Sequence, residues 1–199
     1  MGHPVPERVV SFGWQEGWYR GSGFGSRPLM DEGLLCSGGV MGCDDVMIRR
    51  ATADDVTAVL PLWQEMMDVH ASLDSRFRPA ADGVNCWAEA LDGWLKDENC
   101  CVFVADAGDR LVGYIVGWLR QPPPVFQPDV YGFVSDICVV ADGRRRGIGR
   151  RLFEALQGWF RQRGASHVEL RVAVTNPVSQ AFWRSVGCKD YMDQMWCSL

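Results

Sequence analysis

The stretch from Val134 to Phe160, VSDICVVADGRRRGIGRRLFEALQGWF, constrains this chain more than any other. Val134 to Val140 is apolar and rich in β-branched residues, the pattern of a buried strand. Ala141-Asp142-Gly143 breaks it. Further on, Leu152, Phe153, Leu156, Trp159 and Phe160 fall at helical spacing, which predicts a helix from near Ile148 to about Gln162. Between strand and helix lies the basic, glycine-containing turn RRRGIGR, Arg144 to Arg150.

A glycine turn that opens a helix behind a strand is an anion site. The first helical turn leaves backbone N–H groups without partners, and the macrodipole adds partial positive charge, worth about 0.3–1 kcal/mol at an exposed anion. Glycine lets the backbone approach a phosphate closely, and the arginines add charge-assisted donors. A pyrophosphate is the natural guest. The Walker pattern, G-x-x-x-x-G-K followed by Ser or Thr, does not occur. The dinucleotide fingerprint G-x-G-x-x-G fails because Leu152 stands where its third glycine would be. What remains is R-x-x-G-x-G, at Arg144, Gly147 and Gly149.

The net charge of −5 argues against a general nucleic-acid binder; the basic charge is local, at 144–151. The eight cysteines form no C-x-x-C pair and the three histidines are isolated, so no metal site is expected. No run approaches the ~18 apolar residues of a membrane span. A reduced, cytoplasmic protein is expected.

Residues 1–45 differ from the rest. They are rich in Gly, Ser and Pro, and their aromatic residues show no period. A poorly ordered or loosely packed extension is expected there, or a start codon assigned too early. A domain follows over 46–199. It begins with a short strand at Val46–Arg49 and a helix capped at Thr52-Ala53-Asp54-Asp55, which Pro61 should kink or divide. A second helix is expected over Val84–Lys96, and strands over Cys101–Asp106, Arg110–Leu119 and Tyr131–Val140. After the loop and its helix come a strand at His167–Val174, a short helix from Asn176-Pro177 to about Val186, and a final strand over Cys188–Ser198. The order β-α-α-β-β-β-α-β-α-β is an α+β layout about a mixed sheet.

The basic loop, this order of elements and the segment Asn176-x-x-x-x-Ala181-Phe182-Trp183-x-x-x-Gly187-Cys188 together resemble the GNAT N-acetyltransferase superfamily. The resemblance implies the GNAT acyl-CoA N-acyltransferase fold, acetyl-CoA as the acyl donor and a primary amine, on a small molecule or a peptide N-terminus, as the acceptor. It implies that the central strand parts from its neighbour at a bulge. The cofactor's pantetheine arm would then pair with the backbone of Ile137, Cys138 and Val139, with the Val139 N–H polarising the thioester carbonyl. The pyrophosphate would lie on Arg144, Arg145, Arg146, Gly147, Ile148, Gly149 and Arg150. Asn176 would bond the arm from the other side, or cap the helix before Pro177, or do both.

Two positions depart from the family pattern. Trp183 stands where relatives carry a tyrosine that protonates the leaving thiolate, and an indole N–H is not a useful acid. Packing against the arm is the expected role of Trp183; Tyr191 or a water is the candidate acid in its place, or the thiolate leaves unassisted. Cys188 replaces the usual phenylalanine. An amine of pKa ~10.4 is about 3 units, or ~4–5 kcal/mol, from its reactive form at neutral pH, so a base is needed. Asp136, an acid inside an apolar strand, is the candidate. A structural carboxylate is the competing reading, and Glu65, Asp68 and His70 are weaker candidates. The leading function is thus an acetyltransferase acting by direct attack; the alternative is a non-catalytic acyl-CoA-binding or sensing module of the same fold. A homodimer through the last strand or the hairpin is compatible with either.

Overall fold

The computed structural model describes residues 46–127 and 129–198, so the expected extension at 1–45 lies outside the described residues. Five strands form one sheet in sequence order: β1 Met47–Arg50, β2 Cys100–Asp106, β3 Leu111–Arg120, β4 Tyr131–Val139 and β5 Val168–Leu170. The first four are antiparallel neighbours, and β5 joins β4 in parallel. Helices α1 (Val56–Leu73) and α2 (Gly83–Trp94) cover one face; α3 (Ile148–Gln162) covers the other, and α4 (Pro177–Ser185) packs beside α3.

The two faces have separate cores. On the α3 side Leu152, Phe153, Leu156 and Phe160 meet Ile115 and Val134. Here α3 lies so close to the sheet that a Cβ on Gly132 would come within 2.5 Å of the Phe160 ring. On the other side Trp63 stacks on Trp87 at 5.4 Å, and Trp87 meets Tyr114 edge-on at 5.7 Å. Helix α1 runs unbroken through Pro61. The proline removes one hydrogen bond near the helix start, while Val59, Leu62 and Trp63 around it are buried and hold the helix to the sheet. At its start the Asp55 carboxylate accepts from Thr52 N–H at 2.8 Å and from both terminal nitrogens of Arg49. Arg49 thereby ties β1 to α1, and its guanidinium is what chiefly holds the Asp55 carboxyl well below the usual range.

Two expected strands differ. β5 is three residues long rather than spanning His167–Val174, because its only partner, β4, leaves it after Val134. The final strand over Cys188–Ser198 is not formed: no strand is present after β5 among the described residues. The reason is the pattern. Tyr191 and Met192, then Met195 and Trp196, occur as adjacent pairs, which offer no single apolar face at a period of two. The segment instead crosses to the turn after α1, where the Arg76 guanidinium sits 4.5 Å from the centre of the Trp196 ring.

Candidate active site

The site is made by one extra residue in β4. Val116 pairs with Asp136 but Gly117 pairs with Val134, leaving Ser135 unpaired as a β-bulge. Strict alternation from Val134, which packs against α3, would send Asp136 into the same core. The bulge reverses this, so Asp136 lies across from Val116 on the face covered by α1 and α2, with Cys138 and Tyr114 in the next row.

The bulge also ends the pairing with β5. Gly132 to Val134 pair with Val168 to Leu170, and nothing beyond does. Val140 N–H bonds Val112 O at 3.0 Å. By antiparallel alternation, Cys138 and Asp136 then turn their main-chain groups to β3, while Ile137 and Val139 turn theirs away, into the gap. Of the three residues expected to pair with a pantetheine arm, Ile137 and the N–H of Val139 therefore face the gap without a strand partner among the described residues. Cys138 supplies a buried thiol, pushed up to about 12 mainly by burial. The Val139 carbonyl is already engaged: Arg144 Nε donates to it at 2.9 Å, and Arg144 Nη2 donates to Glu65 Oε1 of α1 at 2.8 Å.

The basic loop curls at the mouth of this gap. Arg145 (φ 62) and Gly147 (φ 82) are both left-handed, bracketing Arg146. A non-glycine residue in that region costs on the order of 1–3 kcal/mol and persists where its surroundings fix it; such alternation aims successive N–H groups to one side. The N–H of Arg151 bonds Gly147 O, so Ile148, Gly149 and Arg150 precede the first helical bond and keep their amides for an anion. Gly149 is closely packed: a Cβ would lie 3.2 Å from the Phe182 ring, which would have to give by a few tenths of an ångström.

The remaining expected residues are placed as follows. Asn176 caps α4, its side chain accepting from Ser179 N–H at 3.0 Å. Trp183 is 5% exposed and turned into the core, edge-on to Phe153 at 5.1 Å. It is its neighbour Phe182 that lies over Gly149. Tyr191 is 79% exposed in the segment after α4 and is not brought to Asp136 by any described contact. His70 packs against Phe77, and Asp68 accepts from Gln64 on the α1 surface.

Asp136 is 7% exposed. Its carboxyl is raised from 3.8 to about 7 by burial, opposed only weakly by the Ser135 hydroxyl at 3.4 Å. A buried carboxylate without a cation beside it is the state expected of a proton acceptor rather than of an ion-pair partner. A second group here, absent from the sequence-based expectations, is Tyr114, whose buried hydroxyl donates to Met66 Sδ at 3.8 Å. Burial and the Asp136 charge push its phenol well up. Only the register of β3 against β4, which places Tyr114 opposite Cys138, reveals it.

The profile of the acetyltransferase (GNAT) family matches residues 63–188. The chain belongs to that family. Acetyltransferases of this family use acetyl-CoA, and the gap and the curled loop fit such a ligand. Among curated proteins the chain is 30% identical over 93 residues to the L-2,4-diaminobutyric acid acetyltransferase of Nocardia farcinica, covering 47% of this chain and 46% of that protein. It is 28% identical over 101 residues to an uncharacterized N-acetyltransferase of Methanocaldococcus jannaschii, covering 50% and 59%. The chain thus spans about half the length of the curated relatives it matches. Among solved structures, the tetramutant of the BH1408 protein of Bacillus halodurans is 26% identical with a TM-score of 0.71, covering 77% of this chain and 99% of that one. An aminoglycoside 6'-N-acetyltransferase of Acinetobacter haemolyticus shares the fold at 17% identity and a TM-score of 0.63, covering 77% and 97%.

Proposed function

We propose that this chain transfers an acetyl group from acetyl-CoA to a primary amine, with Asp136 taking the amine's proton, directly or through one water. One observation carries the reading: the bulge at Ser135 turns a carboxyl titrating near 7 toward α1 and α2 at the point where β4 and β5 part. A base poised near the working pH is the most effective one. When bound, acetyl-CoA would supply an activated acetyl thioester. The edge groups of Ile137 and the Val139 N–H would orient its amide arm as an added strand does. The amides of Ile148, Gly149 and Arg150, with the side chains of the loop arginines, would hold its diphosphate. Phe182 would pack on the arm, a place first assigned to Trp183. Asn176 would serve as helix cap with its amide N–H groups left for the ligand. The thiolate would leave without a side-chain acid, since Trp183 is in the core and Tyr191 is out in solvent.

That missing acid is the observation favouring a second reading, an acyl-CoA-binding module without turnover. Thiol release from acetyl-CoA across a panel of diamines, amino acids, aminoglycosides and peptides separates the two. The expected result is turnover with at least one amine, lost in Asp136→Asn. Tight CoA binding with no turnover on any amine favours the module, and absence of CoA binding overturns both readings.

A further inference from the structure

Beyond Asp136, on the same face, the sheet carries a guanidinium seated over an aromatic ring. The residues facing α1 and α2 form rows: Val116 with Asp136, then Trp118 with Phe133, then Arg120 with Tyr131. Arg120 does not extend outward from its row. Its guanidinium folds back over the Phe133 ring, 3.9 Å from the ring centre. That places it about one row, or ~7 Å, from Asp136. Trp118, edge-on to Trp94 of α2 at 5.6 Å, borders the ring on one side. Glu169 of β5 borders it on the other, paired across from Phe133.

Arg120 is half-buried, and burial pushes its pKa down, with Arg171 acting in the same direction and Tyr131 and Glu169 opposing. No carboxylate among the described residues lies within ion-pair distance of it. Glu169, the nearest acid, meets His167 Nε2 through Oε1 at 3.3 Å. Asp129, farther out, accepts from Ser166 Oγ at 2.8 Å. The Arg120 guanidinium, hydrogen-bonded to Tyr131, therefore has no carboxylate in contact with it among the described residues, and Glu169 beside it is engaged by His167. Such a surface attracts an anionic group and repels a polycation. A planar guanidinium fixed by a ring below it presents its fork to a carboxylate bidentately.

We infer that Arg120, seated on Phe133, is a specificity-determining residue that binds a carboxylate of the acceptor, and that the acceptor is therefore an amino-acid-type amine with its carboxylate about 7 Å from the reacting nitrogen. This rests on the proposed acetyl transfer at Asp136. Diamino acids of the length of ornithine or lysine fit that separation, with the side-chain amine at Asp136 and the α-carboxylate at Arg120.

The test compares ornithine with putrescine, which has the same chain and no carboxylate, as acceptors for the full-length protein. The wild type is expected to show a KM for ornithine at least about tenfold below that for putrescine, the size of a charged hydrogen bond. Arg120→Gln is expected to raise the ornithine KM about 10- to 100-fold while kcat changes little, so that the preference collapses. Arg120→Lys, which keeps charge and loses the fork, should recover part of it and serves as the comparison if the glutamine variant does not fold. No preference in the wild type, a preference kept in the Arg120 variants, or a preference for an aminoglycoside overturns the inference. If no amine turns over, the proposed transfer fails by itself. Calorimetric titration of the same pair into the CoA-loaded protein then decides: an ornithine preference that Arg120→Gln removes supports the subsite, and equal affinities overturn it.

Discussion

The two halves of β4 run along the same neighbour, β3, and have opposite fates. From Tyr131 to Val134 the strand follows β3 on one side and meets β5 on the other, and Gly132 lets Phe160 of α3 lie directly on it. From Asp136 to Val139 β3 is its one strand neighbour among the described residues, and it faces the gap with the edge groups of Ile137, the Val139 N–H, a buried acid and the basic loop. One extra residue, Ser135, separates the zipped half from the open one. The comparison teaches that the site is not added to the scaffold; it is the scaffold with one side of one strand released.

The largest effect should come from the open half. Asp136→Asn is expected to lower kcat/KM for amine acetylation by about 10²–10⁴-fold, and to abolish the acid limb that the wild type should show near pH 7. The same variant should be more stable than the wild type at pH 8. A carboxyl raised by burial holds its proton in the folded chain while the unfolded chain has lost it. Stability therefore falls as pH rises from about 4 to about 7, and the deficit is complete above that. A rise from 3.8 to about 7 corresponds to ~4 kcal/mol at most. Melting curves at pH 5 and pH 8 check this: the gain from Asp136→Asn should be much larger at pH 8. An equal gain at both would show that the carboxyl is not perturbed. Activity lost and stability gained in one substitution is the signature of a functional group held at a cost to the fold.

In the zipped half the expected effect is on stability alone. Gly132→Val would drive a side chain into the Phe160 ring, since even a Cβ would lie 2.5 Å from it. Overpacking of this kind costs about 1–3 kcal/mol and sometimes more. Denaturant titration should show the loss, with CoA affinity unchanged in the fraction that remains folded. Deleting Ser135 attacks the boundary itself. It gives β4 a single register, leaves Asp136 on the same face and removes the bend, so β5 can continue its pairing. CoA affinity should drop at least about tenfold while the melting temperature holds or rises; retained affinity would show that the bulge does not make the gap.

The sequence showed which elements exist far better than it showed where they part. The apolar run of β4, the helical period of α3 and the basic glycine turn between them are local signals, and each was legible. Asp136 was legible as an acid in an apolar strand. That burial would leave it without a cation depends on β3 and α1, which are distant in sequence. Trp183 and Phe182 could not be told apart, because adjacent residues on α4 point to different neighbours: one to Phe153, the other to Gly149. Tyr191 looked like a spare phenol because a strand was expected under it. The paired rather than alternating hydrophobic residues around it are the signal that argued otherwise.

The smallest effect belongs to the contact that joins the open half to α1. Arg144 bonds both the Val139 carbonyl and Glu65, at the edge of the site and partly in solvent. An ion pair of this kind contributes no more than about 1 kcal/mol, so Glu65→Gln should move the melting temperature by only a few degrees. It should also release Arg144 toward the loop, where its charge would favour a bound diphosphate. CoA is therefore expected to bind severalfold more tightly to Glu65→Gln at low ionic strength, with the difference disappearing in high salt. Turnover should stay within about threefold of wild type if Asp136 is the base. A hundredfold fall in kcat in Glu65→Gln, with Asp136→Asn nearly silent, would transfer the proton-accepting role from the strand to the helix.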